Sequence, residues 1–434
     1  MIKLSCGVFL VLIMMFLLVE IRGEDPAPES MALKAKGKIE EMSLKFTQWL
    51  WQSFDTEAYP HKESACLNDH KAGTLTSEKV KQMGSSVRPS VYKDGLNTWA
   101  ERTTFFPYTN RAKMTLQGYS MLQEECSSKP LLFFGVGFTE STVKYAHVMN
   151  ALFEQGGYDI YSFDYRGQGF SQHAVWDEVR GMRVSHVESF DDNAQDLKDF
   201  MGYIKSRDEE RCAGSNSSSR EASIYVGNSM GGLLGYYTQR FYSDLLPADA
   251  EEEGSTSNKL FSKLLLMAPC IEPYGLGVPL VYVLHFLHWV TPDWWRSQIF
   301  FVLAAMDVDN NHLSHDLTFL NFWDDLRHAG SRWLIVYGPS LNFLRELVNA
   351  GYRALTEGEN EVIRDTDIFV VMSEEDKLID ISVAEAWWDQ LTAEGERRGE
   401  RRWKQIPGTY HEIWAEGEQI VETVVEAALT FFDS

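Results

Sequence analysis

The sequence predicts an α/β fold in which a mostly parallel sheet is covered by helices on both faces and a helical cap is inserted late in the core. Three observations lead there. From Leu131 onward, short and wholly apolar runs alternate with longer amphipathic ones, and a strand buried on both faces reads as such an unbroken run. Ser223-Ile224-Tyr225-Val226-Gly227-Asn228-Ser229-Met230-Gly231-Gly232 joins one of these runs to an apolar helical stretch, Leu233 to Tyr237, through a Gly-x-Ser-x-Gly turn. The chain's 434 residues, 44% of them hydrophobic, suffice for one large α/β domain with insertions or two of ordinary size.

The chain opens with Lys3 and an apolar run, Leu4 to Val19, which closes before Glu20-Ile21-Arg22-Gly23. Its 16 residues are short for a spanning helix of roughly 20. The pattern predicts a signal peptide over 1–23, cleaved after Gly23 to give a secreted or lumenal protein, with the alternative of an uncleaved signal anchor that tethers the chain to the membrane. An N-terminal extension, 24–102, is polar and mixed. Within it Phe46, Trp49, Leu50 and Phe54 recur at near-helical spacing, which reads as a packing face.

The core is expected in two parts, 103–269 and 351–434, separated by a cap at 270–350. Thr103 to Leu122 alternates in short runs and predicts an antiparallel opening pair. Strands follow at Leu131 to Phe134, Tyr158 to Asp164, Ile224 to Val226, Leu264 to Met267, Ile368 to Met372 and near Trp403 to Ile406. Helices are expected at Val143 to Phe153, at Val187 to Ile204, and near Glu418 to Phe432. Ser185 and Glu188 have capping-box spacing and predict the start of the second of these. The polar stretches 207–220, 251–258 and 392–402 read as solvated loops.

The Gly-x-Ser-x-Gly turn exposes a serine at the tip of a strained strand-to-helix junction, where the glycines avoid a clash that a Cβ would cause. Ser229 is the candidate nucleophile. A serine hydroxyl is weak at neutral pH, so it needs a base within hydrogen-bond reach and a carboxylate to orient that base. Behind such a turn the partners follow in the order acid, then histidine. His411 is the only histidine after His328 and lies in Pro407-Gly408-Thr409-Tyr410-His411-Glu412, beyond the last strand; it is the candidate base. Asp376, a few residues past the strand Ile368 to Met372, is the candidate acid, with Asp380 as the alternative and Glu374 and Glu375 expected to face solvent. Two backbone N–H groups are needed for an oxyanion: that of Met230, after the nucleophile, and that of Phe138, after Gly137 in the loop Phe134-Gly135-Val136-Gly137-Phe138-Thr139-Glu140.

At these residues the chain resembles a known family. Gly137-Phe138-Thr139-Glu140-Ser141 with Val143-Lys144-Tyr145, Asp164-Tyr165-Arg166-Gly167-Gln168-Gly169-Phe170-Ser171, His186-Val187-Glu188-Ser189-Phe190, Gly227-Asn228-Ser229-Met230-Gly231 and Tyr410-His411-Glu412-Ile413 occur in fixed order. Together they are similar to the α/β-hydrolase group that holds monoglyceride lipases and bacterial lysophospholipases, with serine aminopeptidase-like members, the lysophospholipase branch being the closer. The resemblance runs from about Thr103 to the C-terminus and implies the α/β-hydrolase fold, a Ser229–Asp376–His411 triad and an oxyanion hole at Phe138 and Met230. Two positions depart from the pattern: Val136-Gly137 stands where His-Gly is often seen, and Asn228 where His is frequent.

The cap is unusually apolar. Leu280 to Val290, Trp294-Trp295 and Phe300 to Leu303 offer more apolar surface than a small cap can bury, which suits either an acyl chain or ordinary packing on the core. Transient contact of this cap with a membrane surface is a further expectation. A net charge of −23 excludes nucleic acid and electrostatic docking on anionic lipid. No cofactor and no metal are expected, since hydrolysis by a triad needs neither. His285/His288 and His312/His315 are spaced i, i+3 without a third ligand. Asp307-Val308-Asp309-Asn310-Asn311 opens like a calcium loop, but His312 and Thr318 stand where Gly and Glu are required.

Without Cys6, four cysteines remain (Cys66, Cys126, Cys212 and Cys270), and they form up to two disulfides of undetermined pairing or stay as thiols. Asn216-Ser217-Ser218 is a glycosylation sequon. The sequence therefore predicts a serine ester hydrolase acting on a lysophospholipid or monoacylglycerol through an acyl-enzyme. The alternatives are an aminopeptidase, whose amine anchor would be Asp293, Asp307 or Asp316, and a non-catalytic lipid-binding relative.

Overall fold

Eight strands form one sheet in the order β1-β2-β4-β3-β7-β8-β10-β11: β1 (Thr103–Thr109), β2 (Thr115–Met121), β3 (Leu131–Gly135), β4 (Ile160–Phe163), β7 (Ser223–Asn228), β8 (Lys263–Met267), β10 (Asp367–Ser373) and β11 (Arg401–Ile406). The computed structural model describes residues 72–173, 176–177, 182–213, 220, 222–243, 259–272, 277–291, 296–297, 311–329, 334, 338–357, 361–393 and 398–434. The signal segment, Cys66, the sequon, Asp293, Asp307 and the cap aromatics at 294–295 and 300–303 lie outside these residues.

The pairing explains the sequence pattern. β1 and β2 form an antiparallel pair, Thr103↔Met121 through Thr109↔Thr115, and β2 is also antiparallel to β4. All the remaining neighbours in this sheet are parallel. β3 and β7 are buried along their whole length, as expected where helices cover both faces. Those helices are α1 (Ser77–Ser85), α2 (Val91–Arg102), α3 (Ala146–Gly156), α4 (Phe190–Cys212), α5 (Met230–Tyr242), α10 (Ile381–Ala393) and α11 (Glu418–Asp433). Helices α1 and α2 begin at Thr76 and Ser90, whose hydroxyls accept from the third residue on. Their Val80, Met83, Leu96 and Trp99 enter the same core as the sheet.

Two expectations are corrected: residues 207–212 continue α4 instead of opening a solvated loop, with Asp208 buried and paired to Arg220, and the start of that helix moves. Helix α4 starts at Phe190, capped by the Ser189 side chain, which accepts from the Asp191 N–H. Ser185 instead closes a short strand, β6 (Met182–Ser185), which pairs antiparallel with β5 (Trp176–Asp177) and parallel with β9 (Gly338–Pro339). The capping-box spacing at Ser185 is overridden by this non-local pairing. Residues 186–189 bring the chain back to the core.

Between β8 and β10 the chain leaves the sheet for α6 (Gly277–Val290), α7 (Leu317–Ala329), β9, α8 (Leu341–Thr356) and α9 (Glu361–Asp365). This excursion is stitched to the 182–190 segment. The Ser340 N–H donates to Ser185 O at 3.0 Å. His186 Nδ1 lies 2.8 Å from Ser340 Oγ, and Asn342 Nδ2 donates to Val187 O at 2.6 Å. Among the described residues no helix is long and apolar enough to cross a membrane. A disulfide joins Cys126 to Cys212, while Cys270 is a buried thiol whose pKa burial pushes up to about 12.

Candidate active site

Strand β7 delivers Ser229 at its carboxyl end, and α5 begins at the next residue. Ser229 sits at φ 51°, a left-handed conformation that a residue with a Cβ rarely adopts. Its N–H donates to Met267 O at 2.8 Å, and its carbonyl accepts from Cys270 at 3.0 Å, so the strained turn is tied to the neighbouring strand on both sides. The flanking glycines are sterically required. A Cβ on Gly227 would lie 2.5 Å from Gly231 O, and one on Gly231 would lie 2.5 Å from Val136 O.

The structure brings Ser229, His411 and Asp376 into one chain of hydrogen bonds. His411 Nε2 is 2.9 Å from Ser229 Oγ, and His411 Nδ1 is 2.7 Å from Asp376 Oδ2. With Nδ1–H donated to the carboxylate, Nε2 carries the lone pair that accepts the serine proton. The other carboxylate oxygen, Oδ1, accepts the N–H groups of Leu378 and Ile379 at 2.8 and 2.9 Å. Burial opposes charge on His411, but Asp376, with Glu412 and Glu140 further off, outweighs it and holds the imidazolium pKa above its ordinary value. Asp376 shows the mirror effect: burial raises its pKa, yet His411 and the two N–H donors bring it below the usual carboxylate range. Asp380 lies apart from this chain; its Oδ1 accepts from Ser382 N at 3.0 Å at the start of α10. Glu374 and Glu375 are exposed.

The loops carrying acid and base are joined to each other. Ser373 Oγ donates to Thr409 O, the Glu375 N–H donates to the same carbonyl at 3.0 Å, and Gly408 N–H donates to Glu374 Oε2 at 3.0 Å. On the other side of Ser229, the loop after β3 turns through Thr139 at φ 62°. Gly137 N–H donates to Glu140 Oε2 at 2.7 Å, closing that turn from within. The Phe138 ring stacks on Phe343 of α8, centroids 4.9 Å apart. Among the described residues no protein acceptor takes the N–H of Phe138 or of Met230. A developing oxyanion needs two backbone donors of this kind.

Sequence reading missed a set of groups beneath the site. Glu140, Lys144, Tyr145, Asn228 and Glu412 are all buried and in mutual contact. The departure at Asn228 resolves here, because its side chain faces Tyr145 OH at 2.9 Å. Among the described residues no cluster of three or more His, Cys, Asp or Glu is arranged to hold a metal ion. His315 instead stacks on Tyr410 with centroids 3.7 Å apart and meets Glu416 at 3.2 Å.

Residues 127–418 match the family model described as serine aminopeptidase, S33. The chain belongs to the S33 serine aminopeptidase family. Lysophospholipase L2 of Escherichia coli (strain K12) is 24% identical to it over 311 residues, covering 68% of this chain and 78% of that protein. A soluble variant of monoglyceride lipase from Saccharomyces cerevisiae, solved with a substrate analogue, superposes with a TM-score of 0.52 at 17% identity, covering 76% of this chain and 94% of that one. A carboxyl esterase from Bacillus coagulans, solved with glycerol, gives 0.52 at 14% identity, covering 76% and 98%. This S33 member therefore has the α/β-hydrolase fold and is a hydrolase.

Proposed function

We propose that this chain is a serine ester hydrolase that releases a fatty acid from a lysophospholipid or monoacylglycerol through an acyl-enzyme. The observation that carries the reading is the unbroken chain from Ser229 Oγ through His411 to Asp376 at the tip of a strained turn. In this mechanism Ser229 attacks the ester carbonyl while His411 Nε2 takes its proton. The oxyanion accepts from the N–H groups of Phe138 and Met230. The collapsing tetrahedral intermediate expels the alcohol, protonated by His411; water, deprotonated in turn by His411, then releases the acid and restores Ser229. The lipid substrate is supported by the likeness to lysophospholipase L2 and by the apolar α6. Tyr282 and Trp289, exposed on that helix, support transient contact with a lipid surface.

The family's description favours a second reading, cleavage of an N-terminal residue. That chemistry needs a carboxylate for the free amine. Of the three sequence candidates only Asp316 is among the described residues. It accepts from Tyr92 OH and from the Thr318 N–H at the start of α7, which weighs against its serving a ligand. A secretory compartment is part of the proposal as well, supported by the apolar run before Glu20 and by the Cys126–Cys212 disulfide.

The test is mass-resolved labelling with a fluorophosphonate, followed by a panel of lysophospholipids, monoacylglycerols and aminoacyl amides. Label on Ser229, lost in Ser229→Ala and His411→Ala, with turnover of the lipid esters, is the expected result. Turnover of the amides alone establishes the peptidase. Absence of label on folded wild type rejects both and leaves a lipid-binding relative.

A further inference from the structure

We propose that Glu140, Lys144 and Glu412 form a buried positioning network that holds the oxyanion loop and the His411 loop in register and supplies negative charge beneath the imidazolium. The inference rests on the hydrolase mechanism proposed above. Its geometry is independent of the substrate.

The network joins three segments that meet only in the folded chain. Lys144 Nζ pairs with Glu140 Oε1 and lies 3.1 Å from Glu412 Oε1. Tyr145 OH donates to Glu140 Oε2, and Asn228, immediately before Ser229, donates Nδ2–H to Tyr145 OH at 2.9 Å. The Lys144 side chain is 2% exposed, those of Glu140 and Glu412 are 8% and 4%, and Phe319 and Trp323 of α7 lie 6.0 and 5.7 Å from Nζ. Charges so deep are retained at a desolvation cost, and removing one partner leaves the others uncompensated.

Each end of the network touches a working segment. At one end Glu140 Oε2 accepts the Gly137 N–H at 2.7 Å and so closes the turn in which Thr139 is held at φ 62°. Phe138, whose N–H is the proposed oxyanion donor, lies inside that closed turn. Releasing the carboxylate lets the left-handed residue relax and the donor drift, and a displaced donor stabilises the oxyanion less. At the other end Glu412 follows His411 directly, and its N–H donates to Leu313 O at 2.8 Å. Burial and the neighbouring Glu412 raise the Glu140 pKa to about 7 against the pull of Lys144, so above that pH two carboxylates face one ammonium and leave one negative charge in excess. His411 becomes an imidazolium only during the reaction, and this excess favours it alongside Asp376.

A merely structural ion cluster would change stability alone, so the test separates the two. Activity is normalised to fluorophosphonate-labelled Ser229 and folding is followed by thermal melting. Glu140→Ala is expected to lower kcat for a short-chain ester about tenfold or more with KM within about twofold. Glu140→Gln, which keeps an acceptor for Gly137 N–H, recovers part of that loss. Glu412→Gln moves the acid limb of the kcat/KM profile about half a pH unit down. Wild-type kcat per labelled serine in Glu140→Ala, or an unshifted limb in Glu412→Gln, overturns the proposal while leaving the hydrolase reading intact. Should Glu140→Ala not fold, Glu140→Gln and Glu412→Gln decide by the same two readouts. A wild type that neither labels nor hydrolyses fails the hydrolase reading itself, and the network's catalytic role falls with it.

Discussion

Two aspartates near the carboxyl end of β10 differ in one respect that matters for chemistry. Asp376 faces His411 Nδ1 at 2.7 Å, whereas the half-buried Asp380 accepts from Ser382 N–H at the start of α10. Asp376→Asn is therefore expected to lower kcat/KM about 10³–10⁴-fold, because an amide both loses the charge and favours the wrong imidazole tautomer. Asp380→Asn should change it less than about twofold. The pair is distinguished by steady-state kinetics on one ester. The pH profile carries a second prediction. In the proposed mechanism His411 accepts the serine proton only when neutral, and its pKa lies above the ordinary value near 6.5. Activity should rise with pH along a limb centred above that value, and kcat/KM from pH 5 to 9 checks it. The same interaction stabilises the fold. For His411 the contribution is full below the unfolded pKa and is lost as pH rises through the raised one. For Asp376 it is present above the unfolded value and is lost as pH falls through the lowered one.

At the scale of elements, the start of α5 is the most constrained point in the chain. A Cβ on Gly231 meets the backbone carbonyl of Val136 at 2.5 Å, so the helix and the oxyanion loop cannot both keep their places. Gly231→Ala should cost about 1–3 kcal/mol of stability, read by chemical denaturation, and should also slow labelling of Ser229. Another contact of this kind joins α3 to the turn at Ile413–Ala415, where His147 Nε2 lies 2.7 Å from Trp414 O. Burial lowers the His147 pKa to about 4. Its imidazole therefore stays neutral in the fold and donates Nε2–H, while an unfolded chain takes up a proton near 6.5, so stability declines as pH falls between those values. His147→Gln, which keeps a donor, should flatten that decline in melts taken from pH 7 to 4.5. The elements were legible where the signal is local. β3, β7, β8 and β10 are continuous apolar runs because both faces are covered. The start of α4 was misread because Ser185 answers to β9, more than 150 residues away. The Glu140–Lys144–Glu412 set was illegible for the same reason: acids and a lysine scattered along the chain look like solvated surface until the fold buries them.

Across the whole molecule the sheet separates stability from chemistry. Ser229, Asp376 and His411 follow the carboxyl ends of β7, β10 and β11. The Cys126–Cys212 disulfide lies at the opposite edge, since Cys126 precedes β3 and Cys212 ends α4 before β7 begins. Cysteine count left the pairing open, and only the return of α4 beside the loop after β2 selects it. The disulfide closes a separation of 86 residues, which restricts the unfolded chain far more than the folded one. Next to it Arg220 Nη1 meets the buried Asp159 at 2.7 Å, and Arg211 joins the same carboxylate, so this corner stays organised by charge when the sulfurs part. The expected consequence is a divergence of two readouts. The Cys126→Ser/Cys212→Ser variant should lose about 2–4 kcal/mol in denaturant unfolding, while kcat/KM at 25 °C per folded molecule stays within about twofold of wild type. Dithiothreitol should reproduce this on the wild-type protein by lowering its melting temperature and have no effect on the variant. Loss of activity in the variant at unchanged stability would mean that the amino edge of the sheet communicates with Ser229, contrary to the separation argued here.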